Sequence, residues 1–410
     1  MRKASLLIIF LSVFIDLVGF GIVLPLVPVY SERFGASGFL IGLIFASYSL
    51  MQFVCGPVWG RISDRIGRRP VILLSNLGAC GSYALFAYGS TRQDSSALMW
   101  IMISRVFAGI CGANLSVASA YIADVSPPEK RSKGMGLIGM AFGFGFILGP
   151  AIGALSLSSL GDHGPGLLAA CLCGFNFFFG LFLLGESRKP DSEAADANRP
   201  RFGQWGTVLK RPVVGRLIGI YFLATVCFSC FESTFSLVLV SSESFGFELK
   251  HVGYLFAYAG LIGAIVQGGM IGRLVKKYGE VRIIVVSLFV VAAGMVAMPL
   301  AGTLATLLVA LTIFSVGSGM NRPPVFGLIS LRTPADEQGA TMGVTQGVGS
   351  LARIIGPLFA ATLNAQYSGL PYYICAGVAF LAACLAVTFL KGVEDSVDSH
   401  PVEPTASSGA

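Results

Sequence analysis

Twelve apolar runs, each close to twenty residues long, divide this 410-residue chain, and most charged side chains lie between them. A helix of about 20 apolar residues spans a hydrocarbon core of roughly 30 Å. The runs fall near 5–30, 38–59, 71–90, 97–123, 135–157, 166–185, 213–240, 252–272, 283–301, 303–330, 341–363 and 371–390. They are continuous, without the apolar–polar alternation of lipid-facing strands of about 10 residues, which excludes a β-barrel. Charged residues make up 12% of the chain, too few to coat a soluble surface, where about 25% is usual. The runs therefore specify an all-α membrane protein of twelve transmembrane helices.

The start, MRKASLLIIFLSVFIDLVGFGIVLPLVPVY, has the basic-then-apolar order of a signal peptide. Its apolar part is too long, holds Asp16, Pro25 and Pro28, and precedes no small-residue cleavage site, so it reads as the first span. The polar, proline-bearing stretch 186–212 divides the chain into six spans plus six. The organisation expected is a six-helix bundle over 1–185, a cytoplasmic loop over 186–212, a second six-helix bundle over 213–390 and a disordered cytoplasmic tail over 391–410.

Lys and Arg concentrate in alternate loops, among them 60–70, 126–134, 186–216 and 272–282. The loops on the other side hold only Arg33, Arg92 and Lys250, and Arg105, Arg322 and Arg353 lie inside spans. The positive-inside rule then places both termini and the central loop in the cytoplasm, and the location expected is the cell (inner or plasma) membrane, as a multi-pass protein. This distribution also accounts for the net charge of +7 without nucleic acid. The nine cysteines lie in or beside apolar runs, and Cys227-x-x-Cys230 and Cys171-x-Cys173 have no His or further Cys nearby. They read as packing residues, with no metal site.

The halves repeat one another. GRISDRIGRRPVILLS (60–75) aligns with GRLVKKYGEVRIIVVS (272–287), SPPEKRSKGMG (126–136) with TPADEQGATMG (333–343), and Gly149-Pro150 with Gly356-Pro357. Repeated halves of this size are a transporter signature, with the substrate held near the midplane between them. Ser126-Pro127-x-Glu129 and Thr333-Pro334-x-Asp336 have the pattern of helix starts.

An ionisable side chain at membrane depth costs about 2.5–3.5 kcal/mol or more, so each needs a reason. Asp16, Arg105, Glu232 and Arg353 lie deep, and Arg322 lies nearer a span end. A carboxylic acid in an apolar setting favours its neutral form and can carry a proton from one side to the other. Asp16 and Glu232 are the candidates; the bland alternatives are a structural partner for a buried Arg and polar cavity lining. Arg105 keeps its charge and can tune a carboxylate without releasing a proton. It heads the one-faced stripe Arg105, Gly109, Gly112, Ser116, Ser119. Asn114, Phe178, Gln267, Arg322, Gln346 and Arg353 are further candidates for lining a cavity. In span five, Gly145, Gly149 and Gly153 form a smooth ridge beside the helix-bending Pro150.

Together these segments resemble the major facilitator superfamily, in its twelve-span drug/proton antiporter group that includes tetracycline efflux pumps. The resemblance covers residues 5–390. Gly60-Arg61-Ile62-Ser63-Asp64-Arg65-Ile66-Gly67-Arg68-Arg69 is similar to that superfamily's loop 2–3 motif. Asp16, Gly19, Gly21, Pro25 and Pro28 resemble the span-one motif, Arg105 with Gly109 the span-four motif, and Gly145, Gly149, Pro150 and Gly153 the span-five antiporter motif. The resemblance implies two pseudo-symmetric bundles, proton coupling through the span-one and span-four charges, and a hinge or seal at span five. Spans three and nine lack the membrane carboxylates of tetracycline pumps, which speaks against tetracycline itself.

The function expected is proton-coupled export of small amphipathic compounds by alternating access, with substrate and proton competing for one cavity. A metabolite exporter or symporter on the same scaffold is the alternative, and a receptor-like protein without transport is a second. No enzyme chemistry and no cofactor are expected. The partners are a small-molecule substrate, protons and the bilayer, with a monomer as the working unit. In the loop 60–70, Gly60 and Gly67 are expected to make a tight turn. Asp64 is expected to cap span eleven near Ala340–Gly343, and Arg65 or Arg68 to pair with Asp124. These contacts would latch the cytoplasmic side shut, and Arg69 completes the basic set.

Overall fold

A computed structural model describes residues 5–94, 96–112, 114–126, 131–187, 204–241, 245–334 and 337–398. Twelve helices among them are long and apolar enough to cross a membrane. In order they are Leu6–Arg33, Gly38–Ile66, Arg68–Thr91, Ser96–Val125, Gly143–Leu160, Gly164–Leu183, Pro212–Val240, Leu249–Tyr278, Glu280–Ala297, Leu304–Leu331, Gln338–Gln366 and Leu370–Leu390, here spans one to twelve. No strand occurs among the described residues.

Local chemistry explains several ends. Ser37 starts span two by accepting a hydrogen bond from the Leu40 N–H, and Thr303 and Thr306 form a reciprocal capping box at span ten. Gly67 (φ 103°) turns the chain from span two into span three, and its repeat partner Gly279 (φ 78°) turns span eight into span nine. Only glycine adopts such angles without strain. Gly60 lies instead within the helix Gly38–Ile66 and makes no turn.

Three spans are interrupted. Span one breaks between Val23 and Leu26, at Pro25, which has no N–H to give the helix. Span four breaks at Gly112, between helices Ser96–Cys111 and Asn114–Val125. In span eight, Val266–Met270 widens into a π-helical turn. The last helix continues to Asp398, eight residues into the stretch expected to be disordered. No proline stops it before Pro401, and 399–410 lie outside the described residues.

The four largest buried apolar clusters are each built from one set of six spans. The two sets meet along spans two and eleven and spans five and eight. These contacts crowd toward the end opposite the basic loops. A Cβ added at Gly42 would lie 2.8 Å from Leu358 Cα, and one at Gly253 2.7 Å from the Pro150 carbonyl oxygen. Val29, Ile41, Leu237 and Ala361 form a buried cluster across the same junction. At the basic end, a Cβ on Gly56, Gly60, Gly268, Gly272 or Gly339 would meet nothing within 4 Å. The halves thus close on each other at one end and part at the other.

Span five is the pivot of this packing. One face carries Gly145, Gly149 and Gly153 onto span one; a Cβ at Gly149 would lie 2.6 Å from Gly21 Cα, and one at Gly145 2.8 Å from Leu17 Cβ. An adjoining face turns the Phe146 and Pro150 carbonyls toward Gly260 and Gly253 of span eight. The glycine ridge therefore locks span five to the span that carries Asp16.

Candidate functional site

Near the middle of the bundle, one polar layer gathers the charges that the sequence places at depth. Arg105 is 2% exposed. Its guanidinium lies 5.6 Å from the Tyr48 ring centroid and 5.8 Å from that of Tyr83. Its Nε and Nη2 are buried and make no hydrogen bond with the described residues. The break at Gly112 and the absence of side chains at Gly109 and Gly112 let span two in closely: a Cβ at Gly109 would lie 2.9 Å from Tyr48 Cα. Asp16, partly buried, faces the same pair of tyrosines, so Tyr48 lies in the fields of Asp16, Arg105 and, from the other half, Arg353.

The second half supplies the complement. Glu232 is 5% exposed and lies in the fields of Arg353 and Arg322. Arg353 donates from Nη2 to Ser350 Oγ at 3.3 Å. Tyr221 lies in the fields of both arginines and meets Phe326 edge-on at 5.1 Å, and Arg322 covers the same Phe326 ring at 5.4 Å. Neither Asp16 nor Glu232 makes a hydrogen bond or ion pair with another described residue, and each can gain or lose a proton without breaking a salt bridge. The layer therefore holds two unpaired carboxyl groups against three guanidinium groups. Cation–π contact holds charge at depth at about 2 kcal/mol when desolvated.

Other candidates fall differently. Gln346 is partly buried in span eleven, and Gln267 is exposed on the π-helical turn of span eight. Phe178 shares an exposed face with Phe175 and Phe182, while Ala169, Cys173, Asn176 and Gly180 fill the buried face of span six. It belongs to the outer surface rather than a cavity, because span six packs inward through its small residues. The Asn114 side chain is outside those described.

The loop 60–70 is organised around Arg68. Its Nη1 lies 2.5 Å from Asp64 Oδ1 and 2.6 Å from Ser63 Oγ, and its Nε lies 3.2 Å from Asp124 Oδ2. The expected Arg68–Asp124 pair is thus present, but both residues belong to the first half, and it stands with the basic ends parted. It cannot by itself latch one half to the other. Asp64 is buried against Arg68 instead of capping span eleven. A carboxylate does cap a helix here, but it is Glu186: Oε1 accepts the Arg68 N–H at 2.8 Å and Oε2 the Arg69 N–H at 3.1 Å, at the start of span three. Arg69 Nη2 donates to the Leu181 carbonyl, and Arg65 is exposed. Thr333 donates its hydroxyl back to the Ile329 carbonyl, so it ends span ten rather than starting span eleven, which begins at Gln338. Ser126 is buried, its Oγ has no hydrogen-bond partner among the described residues, and 127–130, with the expected Glu129, are outside them.

Sequence reasoning missed Tyr48, Tyr221 and Glu186. Tyr48 stands out in hindsight as a polar ring between Ser47 and Ser49 in an apolar run, and Glu186 as an acid at the mouth of span six.

The family model described as Major Facilitator Superfamily matches residues 9–357 and 270–409. The class C tetracycline resistance protein of Escherichia coli is 31% identical over 395 residues, which cover 93% of this chain and 95% of that protein. A crystal structure of the human organic anion transporter MFSD10 (TETRAN) superposes with a TM-score of 0.69 at 26% identity, covering 93% of this chain and 98% of that one. A D-xylose-proton symporter structure superposes with a TM-score of 0.75 over 94% of this chain and 97% of its own; at 15% identity it speaks to the fold alone.

Proposed function

The chain belongs to the Major Facilitator Superfamily, and we propose that it is a proton-coupled exporter of small amphipathic compounds that works by alternating access. The observation that carries this reading is the pair of carboxyl groups without an ion pair among the described residues: Asp16, which shares Tyr48 and Tyr83 with Arg105, and Glu232, in the fields of Arg353 and Arg322. Such a carboxyl group exchanges protons at little structural cost, and its charge changes the affinity of the layer for a ligand. A ligand or proton shifts the balance of conformations only by its differential affinity for them. The close-packed junction at one end and the parted helices at the other fit one extreme of that cycle. On this reading the basic end is cytoplasmic and open, and the protein acts as a monomer in the cell membrane. The likeness to tetracycline resistance proteins supports the drug-efflux class.

A second reading draws on the excess of guanidinium groups and on the similarity to an organic anion transporter. Protonating Asp16 or Glu232 makes the layer more positive, which tightens the hold on an anion. Proton and anion would then travel together rather than compete.

Inverted vesicles with an imposed pH gradient and a panel of amphipathic compounds separate these readings. The export reading expects compound uptake with proton release, lost in Asp16→Asn while compound-for-compound exchange persists. Proton release that survives in Asp16→Asn overturns the role of Asp16. Transport without any pH dependence overturns proton coupling.

A further inference from the structure

At the end of the molecule opposite the basic loops, a cavity of about 370 Å³ opens among the turns that follow spans one, three and five. Its walls include Arg33, Ser90, Arg92, Asp162 and His163. Two of the three basic residues on this side of the chain, Arg33 and Arg92, thus share one pocket. Their charges are not equivalent. Arg33 Nη1 lies 2.5 Å from Asp162 Oδ2, the only carboxylate in the lining, and that charge is balanced. Arg92 makes no such ion pair among the described residues, and the nearest carboxylate acting on it, Asp94, lies outside the lining and is held by Ser96. The Arg92 guanidinium stacks 4.6 Å from the Tyr88 ring centroid, and its Nε is buried and makes no hydrogen bond with the described residues.

The setting identifies the depth. Tyr88 meets Trp100 edge-on at 5.2 Å and is 41% exposed. Tyr and Trp concentrate where the hydrocarbon gives way to headgroups. A guanidinium held at that level by an aromatic face presents its remaining donors to the headgroup layer, and its planar fork matches two oxygens of a phosphate. The geometry points to a phosphate-binding site in this pocket, with Arg92 as the principal ligand and an anionic phospholipid headgroup as the occupant. Arg33, with its partner Asp162, frames the opposite wall, so an occupied site braces three turns of the first half. Nothing in this site depends on the transport reaction.

The test uses the purified full-length chain in detergent, titrated with phosphatidylglycerol, phosphatidylcholine or inorganic phosphate, with the thermal unfolding midpoint as the readout. Phosphatidylglycerol at about a hundred times its dissociation constant is expected to raise the midpoint by about 5 °C, and phosphatidylcholine by much less. The rise is expected to disappear in Arg92→Gln and to shrink in Arg92→Lys, which keeps the charge but loses the fork. Thr91→Glu keeps Arg92 and adds a repelling charge at the exposed rim, so it is expected to abolish the effect even if Arg92→Gln does not fold. Protection by inorganic phosphate that is likewise lost in Thr91→Glu supports the phosphate site and replaces lipid by free phosphate as its source. Equal protection by both lipids, or protection by phosphatidylglycerol that is unchanged in Thr91→Glu, overturns the site.

Discussion

Trp205, on the short helix Gln204–Leu209 that precedes span seven, is pressed against Gly347 of span eleven: a Cβ at Gly347 would lie 2.6 Å from Trp205 Cζ2. The same indole meets Phe53 of span two edge-on at 5.8 Å. An aromatic wedge from the connecting segment therefore sits between the first and second halves on the side where their helices part. The ion pair between Arg211 and Glu337 fastens the connecting segment to the second half just beyond it.

This wedge has an optical consequence. Of the three tryptophans, Trp59 and Trp100 are removable by Phe substitution, leaving Trp205 as the sole indole reporter. Gly347→Leu cannot be accommodated without moving the ring, and overpacking of this kind costs about 1–3 kcal/mol. The Trp205 emission maximum is expected to shift to longer wavelength in Gly347→Leu as the ring moves toward water. An unchanged maximum would show that the indole does not pack on Gly347.

The span-one to span-five lock makes a second prediction. Gly149 and Gly21 approach so closely that neither tolerates a branched side chain. Gly149→Leu is expected to lower the unfolding midpoint and abolish transport. Gly143→Ala, where an added Cβ would have only Ala264 Cβ at 3.8 Å, is expected to be nearly neutral. Circular dichroism melts of the purified variants check the order, and equal losses in both would remove the ridge from the account.

Arg68 offers a test of coupling within the loop. It is 11% exposed, its partner Asp64 is 10% exposed, and Asp124 is more open at 30%. Removing one member of a mostly buried pair takes from the other charge the partner that offsets its burial, which is destabilising. Arg68→Ala is therefore expected to destabilise more than Asp124→Ala, and Asp64→Asn is expected to restore part of the loss caused by Arg68→Ala. A double-mutant cycle on unfolding midpoints measures that interaction. Strict additivity of the two substitutions would mean that the 2.5 Å contact carries no coupling.

The spans, the repeat and the intramembrane charges were legible because each is written in local composition: runs of apolar residues, a turn glycine recurring at Gly67 and Gly279, an ion where lipid should be. What escaped was set by tertiary packing. Hydropathy does not register the π-helical turn at Val266–Met270, since widening a helix by one residue leaves it equally apolar. The capping acid was sought in Asp64 because it lies in the motif. Glu186, far away in sequence, reaches the N–H groups of Arg68 and Arg69 only because spans three and six pack side by side. Phe178 looked like a cavity ring within FNFFFG. Its orientation depends on which face of span six is smooth enough to pack, and Ala169, Cys173 and Gly180 settle that.

The sign of the pH dependence of ligand binding tests the polar layer directly. If a compound and a proton exclude one another, its dissociation constant rises as pH falls, by up to tenfold per pH unit for each proton displaced. If the ligand is an anion gathered by Arg322 and Arg353, protonation of Glu232 or Asp16 leaves the layer more positive, and the dissociation constant falls with pH. Glu232→Gln fixes one carboxyl group in its neutral form while preserving its shape, and Asp16→Asn does the same for the other. Each alone is expected to flatten the slope, and the double variant to bind with no pH response over the range in which the wild type responds. Equilibrium binding of a radiolabelled compound to purified protein between about pH 5 and 8 gives the slopes. A double variant with the wild-type slope would place the responsible proton elsewhere than on the two carboxyl groups of the layer.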